Sequence, residues 1–136
     1  MACYKIDDIE GIGPVRREKL LKAGIKDTDK LLAAAKTAKQ RKTLAEKSGI
    51  SQKLILKFAN YADLYRVSGI GSEYSQLLEA AGVDTVVELA TRKPDNLHAA
   101  LKKLNSEKKN TRQPPSLAEV KAWISTAKKL PRVLEY

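Results

Sequence analysis

Gly11-Ile12-Gly13 and Gly69-Ile70-Gly71 are the same three residues, and the same landmarks follow each. Ala23-Gly24-Ile25 answers to Ala81-Gly82-Val83, Leu20 to Leu78 and Leu31 to Leu89, always at an offset of 58 residues. A fixed period means one structural unit written twice. A Gly-apolar-Gly turn ahead of a helical stretch leaves several backbone N–H groups at the helix N-terminus, where the helix dipole is positive. Such a helix mouth suits a phosphate. The repeat therefore points to nucleic acid rather than to catalysis.

With 136 residues the chain fits one ordinary domain, or two small ones sharing a core. No run of 18 apolar residues is present, so no membrane span is expected. The opening stretch, residues 1–8, has no apolar core of signal-peptide length, and the lone cysteine, Cys3, cannot close an internal disulfide. Both features fit the cytoplasm, nucleoid association included. A net charge of +10 calls for an anionic partner. Residues 1–66 carry 15 Lys and Arg against 8 Asp and Glu, whereas residues 67–136 carry 11 against 8. Electrostatic work thus falls to the first half.

The apolar spacing predicts an all-α fold. Helices are expected over 14–23, with Pro14 in the first turn and Gly24 as the stop, then 27–35 and 36–47, closing at Gly49. Ser51 caps a stripe of Leu54, Phe58, Tyr61, Ala62 and Tyr65 that runs into the second Gly-Ile-Gly turn. Tyr74, Leu77, Leu78 and Ala81 continue the helical period. A short helix over 85–91 follows, then one opened by Pro94 that carries Leu97, Leu101 and Leu104. Residues 105–115 read as a basic surface loop ending in two prolines. Ser116 and Glu119 form a capping box for a last helix that turns Leu117, Val120, Ile124 and Ala127 inward; residues 132–136 read as a tail. The expected architecture is one compact helical domain, 1–136, of two pseudo-repeats, 9–66 and 67–130, sharing the helix over 51–65.

The phrase Gly-Ile-Gly, a helix with Leu20 and Ala23, then Gly24-Ile25 and a short helix with Leu31 resembles the helix-hairpin-helix motif of DNA-repair proteins. Over nearly the whole chain, down to Pro114-Pro115-Ser116-Leu117 and Trp123, the pattern is similar to a bacterial family of unknown function built from tandem helix-hairpin-helix units. The resemblance implies a DNA-backbone role and no assigned activity. Carried over position by position, the phosphate-facing groups are the amides of Gly11, Ile12, Gly13 and Val15, and in the second unit those of Gly69, Ile70, Gly71, Ser72 and Glu73. Arg17 replaces the usual small residue; its stem is expected to cross apolar surface and hold its guanidinium in water beside the phosphate.

Arg16, Arg17 and Lys19 reinforce the first turn, opposed by Asp7, Asp8 and Glu10. Glu73 and Glu79 follow the second, and no Lys or Arg stands between Ser72 and Val83, so that hairpin reads as structural. Lys36, Lys39, Arg41 and Lys42 form a basic cluster that either tracks a phosphate backbone or is simply solvated, as do Lys108, Lys109 and Arg112. Tyr61, Tyr65 and Tyr74 fall on apolar stripes and Trp123 at a core or rim position, rather than on a base-stacking face. One His (His98) and one Cys make no zinc set, and no catalytic triad, Walker loop or dinucleotide fingerprint is present. No catalytic residue, cofactor or metal is expected. The expected function is non-enzymatic, sequence-independent binding of duplex DNA. The alternative is a protein-interaction module whose basic face meets an acidic protein partner. Replacing Arg16 and Arg17 is expected to weaken nucleic-acid binding. Replacing Gly71 is expected to destabilise the fold, if its backbone needs a positive φ or a close helix approach.

Overall fold

The computed structural model describes residues 4–9, 11–108 and 113–135. They form eight α-helices: α1 (Gly13–Lys22), α2 (Thr28–Ala34), α3 (Ala38–Ser48), α4 (Gln52–Leu64), α5 (Ser72–Ala80), α6 (Val86–Ala90), α7 (Pro94–Lys108) and α8 (Leu117–Lys129). A single 3-10 turn, Ile6–Asp8, precedes them, and no strand occurs among the described residues. The expected all-α class is correct. Cys3, Glu10, Lys109 and Arg112 lie outside the described residues.

Side-chain caps set most of the helix starts, because the first amides of a helix have no partner within it. Asp27 accepts from the Lys30 amide at 2.8 Å, and Ser51 from that of Leu54 at 3.2 Å. Ser116 and Glu119 form the expected capping box. A second box, Thr37 with Gln40, was not foreseen; it starts α3 at Ala38 and leaves Lys36 in the connection. The basic loop expected from 105 also starts late. The stripe of Leu97 and Leu101 is buried and continues to a buried Asn105, so α7 stays helical through Lys108.

Two apolar clusters fill the interior. One gathers Leu20, Leu31, Ile55, Phe58, Tyr61 and Tyr65 among others. The second gathers Leu64, Ile70, Leu78, Leu89, Leu101 and Trp123 among others. Helix α4 packs against α2 and α3 and ends between the clusters, while α8 packs against α6 and α7. The Tyr61 hydroxyl donates to Glu79 at 2.9 Å, tying α4 to α5. The Tyr65 hydroxyl donates to the Asp8 carbonyl at 3.1 Å, and its ring meets Tyr4 edge-on at 4.9 Å.

The segment after α8 is not a free tail. Leu134 is buried in the first cluster, whereas the buried residues of α8 belong to the second. The Glu135 amide donates to the Lys36 carbonyl at 2.7 Å. Two buried arginines hold the segment's ends: Arg66 donates to the Pro131 carbonyl at 2.6 Å and Arg41 to the Glu135 carbonyl at 2.7 Å. Residues 131–135 therefore strap the second half of the chain to the first.

Candidate nucleic-acid interface

The first turn has an unusual backbone. Gly11 and Gly13 both adopt left-handed conformations, with φ of 80° and 68°. A side chain at either position would be strained, so glycine is required for the geometry rather than for space. The result is a sharp entry into α1. Among the described residues, no backbone carbonyl meets the amides of Gly11, Gly13 or Val15. Pro14, next in line, has no N–H to offer.

Ile12 is a correction. Its amide donates back to the Ile9 carbonyl at 3.3 Å and its side chain is buried. The residue closes the turn and anchors it to the core, so its N–H is not offered to a phosphate. Ile70 does the same in the second turn, donating to Val67 at 3.1 Å.

Around the first turn the basic residues divide. Arg16 is exposed and donates to the Gly11 carbonyl at 3.3 Å, which holds its guanidinium over the turn. Lys19 is exposed, and its Nζ reaches toward Gly49 at the end of α3. Val15, Lys19 and Lys22 stand at i, i+4 and i+7, an outward strip of α1 with Val15 66% exposed. Lys22 was missed on sequence, although this spacing marks it. Arg17 departs from expectation. Its Nε lies 3.5 Å from Asp7 and one Nη lies 3.4 Å from Glu18, so its charge is already met by carboxylates.

The 36–42 cluster does not form one surface. Arg41 is 5% exposed and spends its guanidinium on the carbonyls of Ala35, Lys36 and Glu135. It is a structural residue, because a buried guanidinium must find acceptors wherever the backbone provides them. Lys36 borders a hollow formed with Leu32, Pro131 and Val133, whereas Lys39 borders a different one against α1 and α2. Lys42 is exposed on α3.

The second turn is built otherwise. Gly69 is left-handed at φ 92°, but Gly71 is extended at φ −114°. A Cβ at Gly69 would stand 3.1 Å from the Trp123 Nε1, so the indole of α8 lies against the turn. Trp123 is buried and tilts against the half-buried Tyr74 at 5.2 Å. Glu73 lies in the first turn of α5, next to Ser72, whose carbonyl accepts from the Ser75 hydroxyl at 2.9 Å. Burial, then the charges of Glu119 and Glu73, push the Tyr74 phenol above its ordinary pKa. The Gly71 expectation needs correction too: its φ is not positive and nothing lies within 4 Å of its would-be Cβ.

A buried pair missed on sequence sits where the two clusters meet. Arg66 donates to Asp63 at 2.7 Å, and the other carboxylate oxygen of Asp63 accepts from the Val86 amide at 2.8 Å. Beyond it, Asp84, Glu88 and Arg132 line a hollow of about 230 Å³. Partial burial raises the pKa of Asp84, against the lowering effect of its own backbone N–H, and Glu79, Glu88 and Asp63 raise it further. No group of three or more His, Cys, Asp or Glu among the described residues is placed to hold a metal ion. No helix among them is long and apolar enough to cross a membrane.

Fold and site together define an all-helical domain with two exposed helix mouths, one beside Arg16 and Lys19 and one beside Glu73. The family described as Domain of unknown function (DUF4332) matches residues 10–130, and the chain belongs to it. No curated protein and no solved structure matches the chain.

Proposed function

We propose that the chain binds duplex DNA through its phosphate backbone, without sequence preference and without catalysis. In this reading the two Gly-Ile-Gly segments are helix-hairpin-helix repeats, and the first carries the contact. One observation carries it: Gly11 and Gly13 at the start of α1 are both left-handed, no backbone carbonyl among the described residues meets the amides of Gly11, Gly13 or Val15, and Arg16 is held over the turn. Helix α1 has no acid in its first turn, so its dipole is not already compensated. In the second repeat the amides of Gly69, Gly71 and Glu73 also meet no backbone carbonyl among the described residues, but Gly71 is extended and Glu73 places an acid in the first turn of α5, where it opposes an anion. Phosphate contacts of this kind fix position and carry no sequence information.

The test is duplex binding by fluorescence anisotropy with an Arg16→Ala/Lys19→Ala double variant of the full chain, its melting temperature checked in parallel. Affinity is expected to fall about tenfold or more, the equivalent of at least about 1.4 kcal/mol, with melting almost unchanged. A folded variant that binds as tightly as the parent removes the first turn as the DNA site. The second reading, a protein-interaction module, is favoured by a different feature, the lysine-rimmed apolar hollow beside α3.

A further inference from the structure

Helix α3 does not pack fully against its neighbours. Between it and the ends of α1 and α2 lies a cavity of about 300 Å³. Its floor is aliphatic, made by Ala23, Ile25, Ala34 and Leu44, and its rim carries Lys39 and Lys47. The rim follows from helix geometry, since Lys39, Thr43 and Lys47 stand at i, i+4 and i+8 on one face of α3. Among the described residues no carboxylate pairs with either lysine, although Glu46 is next to Lys47 in sequence.

We propose that this groove docks an acidic amphipathic segment of a partner protein, one or two aliphatic side chains seated on the floor and carboxylates set against Lys39 and Lys47. The volume is at the small end of ligand pockets and suits side chains rather than a cofactor. The two properties together select the occupant. A duplex backbone offers phosphates to the rim and nothing to the floor. A purely apolar segment leaves both ammonium groups unused. An amphipathic helix with apolar residues at i, i+3 and i+4 and acids between them satisfies both, the usual way a helix enters a groove. The groove is separate from the first turn, so this inference does not rest on the DNA reading.

The experiment follows amide shifts of the isotope-labelled full chain on titration with three probes. The first is a synthetic peptide with Leu at helical spacing and Glu elsewhere. The second is the same peptide with Ser for every Leu, and the third is a duplex oligonucleotide. The Leu/Glu peptide is expected to shift Ala23, Ile25, Ala34 and Leu44 saturably. The Ser version is expected to bind at least about tenfold more weakly, as is the Leu/Glu peptide to a Lys39→Glu/Lys47→Glu variant. Thr43→Trp, which fills the groove from an exposed position without changing charge, is expected to abolish peptide binding and leave duplex binding intact. Equal binding of the Ser peptide, the absence of groove shifts at millimolar peptide, or displacement of the same amides by the duplex overturns the proposal. Failure of duplex binding in the Arg16/Lys19 variant bears on the turn alone, so the two readings fail separately.

Discussion

Gly69 and Gly71 are two residues apart and carry opposite constraints. Gly69 is left-handed and faces the Trp123 indole, whereas Gly71 is extended with open space at its missing Cβ. Gly69→Ala should cost about 1–2 kcal/mol from backbone strain, plus whatever the indole loses in moving aside. Gly71→Ala should lie within about 0.5 kcal/mol of the parent. Urea denaturation of the two variants checks the pair, and equal losses would contradict the assigned backbone. At Asp84 the sign of the pH effect is set by a raised pKa. The folded state holds this proton more tightly than the unfolded one, so the contribution to stability is present below the unfolded value and is lost as pH rises through the folded value. Asp84→Asn should therefore raise the melting temperature at neutral pH. The gain should shrink as pH falls toward the ordinary carboxylate range, and a gain independent of pH would rule out the titration.

At the scale of elements, the strap over 131–135 joins the last helix to the first cluster, and what it uses is mostly backbone. Arg41 and Arg66 take the carbonyls of Glu135 and Pro131, and only Leu134 contributes a buried side chain. Leu134→Ala should cost about 2–3 kcal/mol, the low end for a buried leucine because the site is near the surface. Glu135→Ala should be almost neutral, since its carbonyl, not its carboxylate, meets Arg41. Denaturation of both variants distinguishes a strap from a loose end. Asp63→Ala should be far worse, about 3–5 kcal/mol, because it leaves Arg66 buried without its counter-charge. These contacts also mark where the sequence stops being legible. The stripes of α4 and α8, the box at Ser116 and the first glycine of each turn could be read directly, because local spacing and local hydrogen bonds decide them. Arg41 could not, because its position in a run of lysines says nothing about the carbonyls that approach it from 94 residues away. Arg17 was misread for a similar reason, as Asp7 reaches it from the 3-10 turn. Lys22 is legible from its spacing to Val15 and Lys19.

Across the whole molecule, charge and shape are distributed together. The first half holds the larger share of the +10 net charge, the open turn and the outward lysines of α1. The second holds the turn with the extended Gly71, Glu73 and the hollow lined by Asp84 and Glu88. The first half is therefore better suited to a polyanion than the second, which makes the ionic-strength dependence of binding informative about which turn is used. If the Gly11, Gly13 and Val15 amides with Arg16, Lys19 and Lys22 neutralise about four phosphates, log K for duplex DNA should fall with a slope near −3.6 against log salt. Amide contacts displace counterions less than cationic side chains do, so most of that slope belongs to the side chains. Arg16→Ala/Lys19→Ala should then bring the slope to about −1.8, two phosphates fewer, while the Gly71→Ala variant keeps the parent value. Replacing one duplex by another of unrelated sequence should leave both affinity and slope nearly unchanged, since phosphate contacts carry no sequence information. The measurement is a salt titration of anisotropy on the parent and both variants with two duplexes. A slope that ignores Arg16 and Lys19, or a strong preference for one sequence, would move the DNA contact away from the first turn.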